Sequence, residues 1–154
     1  MPNHQPILIT QAGFNQLQSD LTSLTNDKRP ALVNRLSLAR SQGDLSENSD
    51  YISAKEELAF MDGQIAELED VLRLAKITLP TATDKVDFGH AITVQLGSKQ
   101  TVFTLVGEWE SNPALKKISH TSPLGKAMLG KKVGEKVEVD APAGRIVYTI
   151  LSID

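Results

Sequence analysis

YISAKEELAFMDGQIAELEDVLRLA, residues 51–75, places Tyr51, Ala54, Leu58, Met61, Ile65, Leu68, Leu72 and Ala75 at alternating spacings of three and four. Eight consecutive matches to that spacing are the seam of a coiled coil. At about 1.5 Å per residue, a helix from 50 to 76 would extend roughly 40 Å.

Upstream, Phe14, Leu17, Leu21 and Leu24 make a second seam, which then slips by one position. Continuing it would put Lys28, Ala31 and Arg35 on the apolar face, whereas the apolar residues are Leu32, Leu36 and Ala39. The slip falls at NDKRP, residues 26–30, where Pro30 lacks an amide donor and crowds the Asn26 carbonyl. A kink is expected there, with a full break into two helices as the alternative. With a short connector at 41–47, the two helical stretches predict a long antiparallel hairpin carrying GDLSEN, residues 43–48, at its tip.

After Ala75 the pattern changes. TLPTATDK, residues 78–85, has no apolar face and reads as a linker. Strand-like runs follow at Ala91–Leu96, Thr101–Val106, Lys136–Val139 and Arg145–Ile153, rich in Val, Ile and Thr. One short helix is signalled at SPLGKAMLGKK, residues 122–132, with Ser122 as N-cap, Pro123 at the first helical position and Gly130 at the left-handed stop. The predicted fold class is therefore α+β. Residues 1–79 form a helical hairpin with its acidic tip at 43–50, and residues 80–154 form a small domain with an antiparallel sheet and one short helix.

Composition narrows the function. The chain has 154 residues and no cysteine, which excludes disulfides, thiolate metal sites and cysteine nucleophiles. No basic n-region with an apolar core opens the chain, and no apolar run approaches the roughly 18 residues of a spanning helix. A soluble, cytoplasmic protein with no membrane partner is expected. The net charge of −3 argues against a general duplex-DNA binder. Residues 1–79 hold seven Lys/Arg and eleven Asp/Glu, a balance of −4, while residues 80–154 hold nine and eight, a balance of +1. There is no P-loop, GxGxxG, HExxH or GxSxG motif. His4, His90 and His120 are scattered and read as surface or loop residues. A self-contained active site is not expected.

The acidic connector allows two readings. Asp44 and Glu47 form D-x-x-E, close to a capping box that would start the second helix. Alternatively, the two carboxylates project together as hard oxygen donors suited to Mg²⁺, with the remaining ligands supplied by a partner.

RPALVNRLSLARSQGDLSENSDYISAKEE, residues 29–57, resembles the Gre transcript-cleavage factors of bacterial RNA polymerase, GreA type. The likeness extends to ITQAGFNQLQSDLTSL near the start, and to FGHAI, ISHTSPLGKAMLGKKVGEKVEV and APAGRIVYTIL in the second half. The resemblance implies an N-terminal antiparallel coiled coil and a C-terminal domain similar to FK506-binding proteins. It also implies docking at the polymerase secondary channel, where tip acids help bind a second Mg²⁺ so that polymerase cuts its own backtracked RNA. Asp44 and Glu47 match those acids, the ion being shared with polymerase.

Less forcefully, Arg40 and Lys55 match basic positions that contact RNA or polymerase, with solvated helix charge as the equal alternative. Arg29 and Arg35, with Lys28 and Arg40, would make a basic stripe for nascent RNA. Ser122 and Pro123 match a polymerase-docking loop, compatible with their capping role. Ser49–Asp50 replaces the family's usual Ala-Glu before Tyr51, and Ala12, Gln64 and Thr121 also depart from common residues. The protein is expected to act as a monomer, as a cofactor of cleavage and not itself an enzyme. A Gre-like secondary-channel binder that inhibits polymerase without stimulating cleavage is the alternative.

Overall fold

The computed structural model describes residues 5–43 and 47–154. The chain is α+β and separates into two compact units, one of Phe14–Leu74 and the other of the flanking segments Met1–Gly13 and Ala75–Asp154. Among the described residues, no helix is long and apolar enough to cross a membrane.

The helical unit contains most of α1 (Gln11–Ser23), a π-helical turn (Leu24–Lys28), α2 (Arg29–Ser41) and α3 (Ser49–Leu74). The slip at NDKRP is not met by a full break, since helical bonding runs on from Gln11 to Ser41. It is absorbed by the π turn, in which the Arg29 N–H donates to the Leu24 carbonyl, five residues back. One extra residue in the turn rotates the following helix by the single position needed to bring Leu32, Leu36 and Ala39 round to the apolar face. Leu32 and Ala39 are buried accordingly.

All eight seam positions, seven on α3 from Tyr51 to Leu72 and the last at Ala75 just beyond it, are buried or half-buried, while most residues between them are exposed. Side chains join α2 to α3, and their numbers run in opposite senses. Arg29 Nε donates to Asp62 Oδ1 at 2.7 Å, Arg35 Nη1 to Glu57 Oε2 at 3.0 Å, and Asn48 Nδ2 to the Ala39 carbonyl at 2.6 Å.

The second unit is built on a five-stranded sheet in the order β5 (Lys117–Ser119), β4 (Lys99–Val106), β3 (Ala91–Leu96), β7 (Gly144–Ile153), β6 (Lys136–Ala141). The strands expected from alternation are all present, but the sheet is not wholly antiparallel: β5 pairs parallel with β4. The apolar faces of Ile92, Val94, Leu105, Val137 and Ile150 pack around Met128 of α4 (Pro123–Met128), and each of these residues is at most 1% exposed. Phe103 and Tyr148 meet edge to face at 5.8 Å.

Two further strands, β1 (Ile7–Ile9) and β2 (Ala75–Ile77), pair in parallel, Ile7 beside Ala75 and Ile9 beside Ile77. The helix expected to reach 76 thus ends at Leu74, because Ala75–Ile77 exchanges helical bonds for strand bonds. In their contacts, residues 5–13 and 75–79 group with the sheet, and the helical unit is Phe14–Leu74. The Glu110 carboxylate fastens the first of these segments: it accepts from the Thr10 N–H at 3.0 Å, from the Thr10 hydroxyl, and from the Gly107 N–H at 3.0 Å. Thr10 in turn accepts from the Gly13 N–H at 3.0 Å, capping α1. Gly107 is required here, because a Cβ would lie 2.2 Å from the Leu8 carbonyl oxygen.

His90 lies in the loop just before β3, within the surface-or-loop expectation, but it is fully buried there. Its Nδ1 accepts from the Asp87 N–H at 3.0 Å, so its Nε2 carries the proton and donates to the Thr81 carbonyl at 2.9 Å. The ring thereby ties the 78–85 linker to the start of β3. Asp87 completes the knot: its carboxylate accepts from the Phe88 N–H at 2.7 Å and the Thr81 hydroxyl at 3.0 Å. The Phe88 bond holds the carboxyl below the ordinary carboxylate range, against the opposing effect of its partial burial.

Candidate functional site

The connector between α2 and α3 is organised by its described ends. At the end of α2 the Gln42 N–H donates to the Ala39 carbonyl at 3.2 Å and the Ser41 hydroxyl to the Leu38 carbonyl at 2.7 Å. Gly43 follows at φ +143°, a region that L side chains rarely adopt. At the other end Asn48 is the N-cap of α3: its Oδ1 accepts from the Tyr51 N–H at 3.1 Å and its own carbonyl from the Ile52 N–H at 3.1 Å.

This corrects the capping-box reading of the acids. α3 begins at Ser49, beyond both Asp44 and Glu47, and the cap is an asparagine that the sequence reading passed over. Asn is among the strongest N-cap residues, so the signal was present, but the D-x-x-E pattern just upstream obscured it. Glu47 lies one residue outside the cap, exposed, with no hydrogen bond or ion pair among the described residues. It lines a shallow hollow with Gln42, Gly43 and Asn48. Asp44 lies outside the described residues. Among the described residues, no three His, Asp or Glu side chains gather as a metal-holding group. Glu47, the described acid of the 43–48 segment, fits a cation only in part and would need ligands from elsewhere.

The basic residues fall into two kinds. Arg29 and Arg35 are engaged between the helices, the first with Asp62 and the second with Glu57 at 3.0 Å and Asp50 at 3.6 Å. Hydrogen bonding to the facing carboxylate raises each guanidinium above its ordinary pKa and, across the first pair, lowers Asp62. Arg40 and Lys55 stand nearer the connector. The Arg40 guanidinium lies 5.7 Å from the centroid of the Tyr51 ring, while Lys55 is exposed and makes no ion pair among the described residues.

In the sheet unit, Ser122 caps α4, its hydroxyl accepting from the Gly125 N–H at 3.1 Å and donating to the Ser119 carbonyl at 2.6 Å. Pro123 is exposed beside it. Gly125 lets the helix start against the preceding turn, because a Cβ would lie 2.1 Å from the Ser119 carbonyl oxygen. Next to this turn, Pro6, Leu8, Glu108, Trp109, His120 and Thr121 line a hollow of about 340 Å³.

Residues 7–77 match the family model "Transcription elongation factor, N-terminal", and residues 80–154 match "Transcription elongation factor, GreA/GreB, C-term". The chain is 41% identical to the transcription elongation factor GreA of Limosilactobacillus fermentum, with 99% of each chain covered. It is 41% identical to that of Caldanaerobacter subterraneus, covering 97% of this chain and 98% of the relative. Among solved structures, GreA factor homolog 1 (Gfh1) of Thermus thermophilus is 25% identical with a TM-score of 0.46, covering 97% of this chain and 99% of the other. With both halves matched in order and two-fifths of its residues shared over nearly its whole length, the chain belongs to the GreA/GreB family of transcription elongation factors.

Proposed function

We propose that the protein is a transcript-cleavage factor acting on bacterial RNA polymerase. In this reading α2 and α3 form an antiparallel coiled-coil hairpin that enters the secondary channel. The FKBP-like sheet unit docks outside, through the turn carrying Ser122 and Pro123. Asp44 and Glu47 reach the catalytic centre and complete, with polymerase residues, the site of a second Mg²⁺. Bound there, the ion would activate water and stabilise the charge that develops as the RNA phosphodiester breaks. The polymerase remains the enzyme, and this chain contributes carboxylates and their placement. Arg40 and Lys55 sit where contact with RNA phosphate or polymerase would occur, whereas Arg29 and Arg35 also hold the hairpin together.

The observation that carries this reading is Glu47. A carboxylate needed to start a helix would be consumed by backbone amides. Here Asn48 does that work, and Glu47 is left exposed and without a partner among the described residues. The test is to add the protein and Mg²⁺ to a stalled, backtracked elongation complex with labelled RNA, alongside Asp44→Ala and Glu47→Ala. Release of a short 3′ fragment, lost in both variants while polymerase binding persists, is the expected result. No cleavage by the parent protein, with slowed nucleotide addition, would sink the reading and make the chain an inhibitor.

A further inference from the structure

Asn48 makes a second bond that an N-cap does not need. Capping requires only its Oδ1, which takes the Tyr51 N–H. Its Nδ2 is spent on the Ala39 carbonyl at 2.6 Å, nine residues back, where α2 is ending. The amide orientation follows from its partners, since a carbonyl only accepts and a backbone N–H only donates. One side chain therefore ties the last turn of α2 to the first turn of α3. It does so between helices already drawn close by small residues, with Ala39 1% and Ala54 0% exposed. The Arg40 guanidinium over the Tyr51 ring joins the same two turns a second time.

We propose that Asn48 is a positioning residue for cleavage. By clasping the two helix ends it fixes the backbone to which Glu47, its immediate neighbour, is attached. The inference rests on the proposed role of Glu47. A carboxylate that completes a metal site on another protein must arrive at a set place, and displacement by about 1 Å at a reacting centre can cost on the order of a hundredfold in rate. Glu47 has no partner of its own among the described residues to hold it, so its placement depends on the backbone at Asn48.

Asn48→Asp separates the two bonds. It keeps the shape and the acceptor for the Tyr51 N–H, but turns the donor facing Ala39 into an acceptor. Asn48→Ser also retains a cap while its hydroxyl falls short of Ala39. Both variants, the parent and Glu47→Ala are compared in the backtracked-complex assay as a function of factor concentration. Amide hydrogen exchange at Tyr51 is followed in the free proteins. The maximal cleavage rate is expected to fall by about tenfold or more in both Asn48 variants. The half-saturating concentration should stay within about twofold of the parent, and the Tyr51 amide should stay protected.

A wild-type maximal rate in Asn48→Asp would overturn the proposal while leaving the role of Glu47 standing. Loss of rate together with loss of Tyr51 protection would assign Asn48 to the helix start alone and overturn it too. If the parent itself stimulates no cleavage, the proposed function fails and the positioning role falls with it. That outcome differs from the others in the parent lane.

Discussion

The Arg29 N–H bonds to the carbonyl of Leu24 and not to that of Thr25, so one residue more than an α-turn holds is wound into the helix between Leu24 and Lys28. That surplus matches the one-position slip of the apolar seam. Deleting exposed Thr25 should let Phe14, Leu17, Leu21, Leu24, Leu32, Leu36 and Ala39 fall on one continuous three-four spacing. The π turn should become α-helix at a cost of no more than about 1 kcal/mol. Inserting one alanine after Asn34 instead throws Leu36 and Ala39 off the face and should cost about 2 kcal/mol or more. Urea unfolding of the two variants distinguishes them, and equal losses would mean that the π turn is not a register device.

Gly125→Ala forces a methyl against the Ser119 carbonyl, a backbone atom that cannot swing aside. Destabilisation of about 1–3 kcal/mol is expected, as for other overpacked sites. On the proposed docking role of the turn that carries Ser122, affinity for polymerase should weaken as well. A denaturation midpoint and a polymerase pull-down check the two effects, and an unchanged midpoint would contradict the close approach.

Glu110→Ala leaves the Thr10 and Gly107 amides without their acceptor in a half-buried place. The expected loss is about 1–3 kcal/mol. Faster exchange should be confined at first to residues near Thr10 and Gly107, since these are the groups that carboxylate bonds. Exchange that remains at the parent rate at both amides would remove the latch.

Asp87 has a folded pKa below its unfolded value, so it stabilises the protein above the ordinary carboxylate range, and the contribution is lost as pH falls through the depressed pKa. Asp87→Asn should cost roughly 1 kcal/mol at neutral pH, with the difference from the parent shrinking towards zero in acid. Denaturation midpoints taken from neutral pH down to about pH 3 provide the comparison. A difference that grows in acid would reverse the sign of the argument.

Local pattern carried the helices further than it carried the strands. The eight seam residues from Tyr51 to Ala75 identify the inward face of α3 without any tertiary knowledge, because a helix that buries one stripe must write it at that spacing. Ser122, Pro123 and Gly130 likewise mark the start and stop of α4 through backbone chemistry alone, Gly130 standing at φ +79°. By contrast β1, β2 and β5 have three residues each, too short for a period of two to be read, and Ala75 of β2 doubles as the last seam position. His90 is the loop residue it looked like, but its burial was not legible, because that depends on the Thr81 carbonyl nine residues away. At the connector, the acids were visible by charge. The division of labour that leaves Glu47 outside the helix rests on the Asn48 cap, whose signal the neighbouring D-x-x-E pattern masked; the bond from Asn48 back to Ala39 was not legible, because it depends on the two helices meeting. Arg29 and Arg35 showed only their charge, and their partners Asp62 and Glu57 are brought near by the pairing of α2 with α3.

The parallel pairing of β1 with β2 has a topological consequence. The chain leaves the sheet unit after Gly13, shortly beyond β1, and returns to it at Ala75, where β2 is bonded to β1. Everything between is a closed circuit, fastened where it starts and where it finishes. Severing the backbone within residues 44–46 opens that circuit without releasing either arm. The piece ending at Gly43 keeps β1 and α2, the piece beginning at Glu47 keeps α3 and β2, and each arm faces its complement at two separate places. The protein is thus a natural candidate for division into two co-expressed fragments that reassemble spontaneously, leaving new chain ends for a probe beside Glu47.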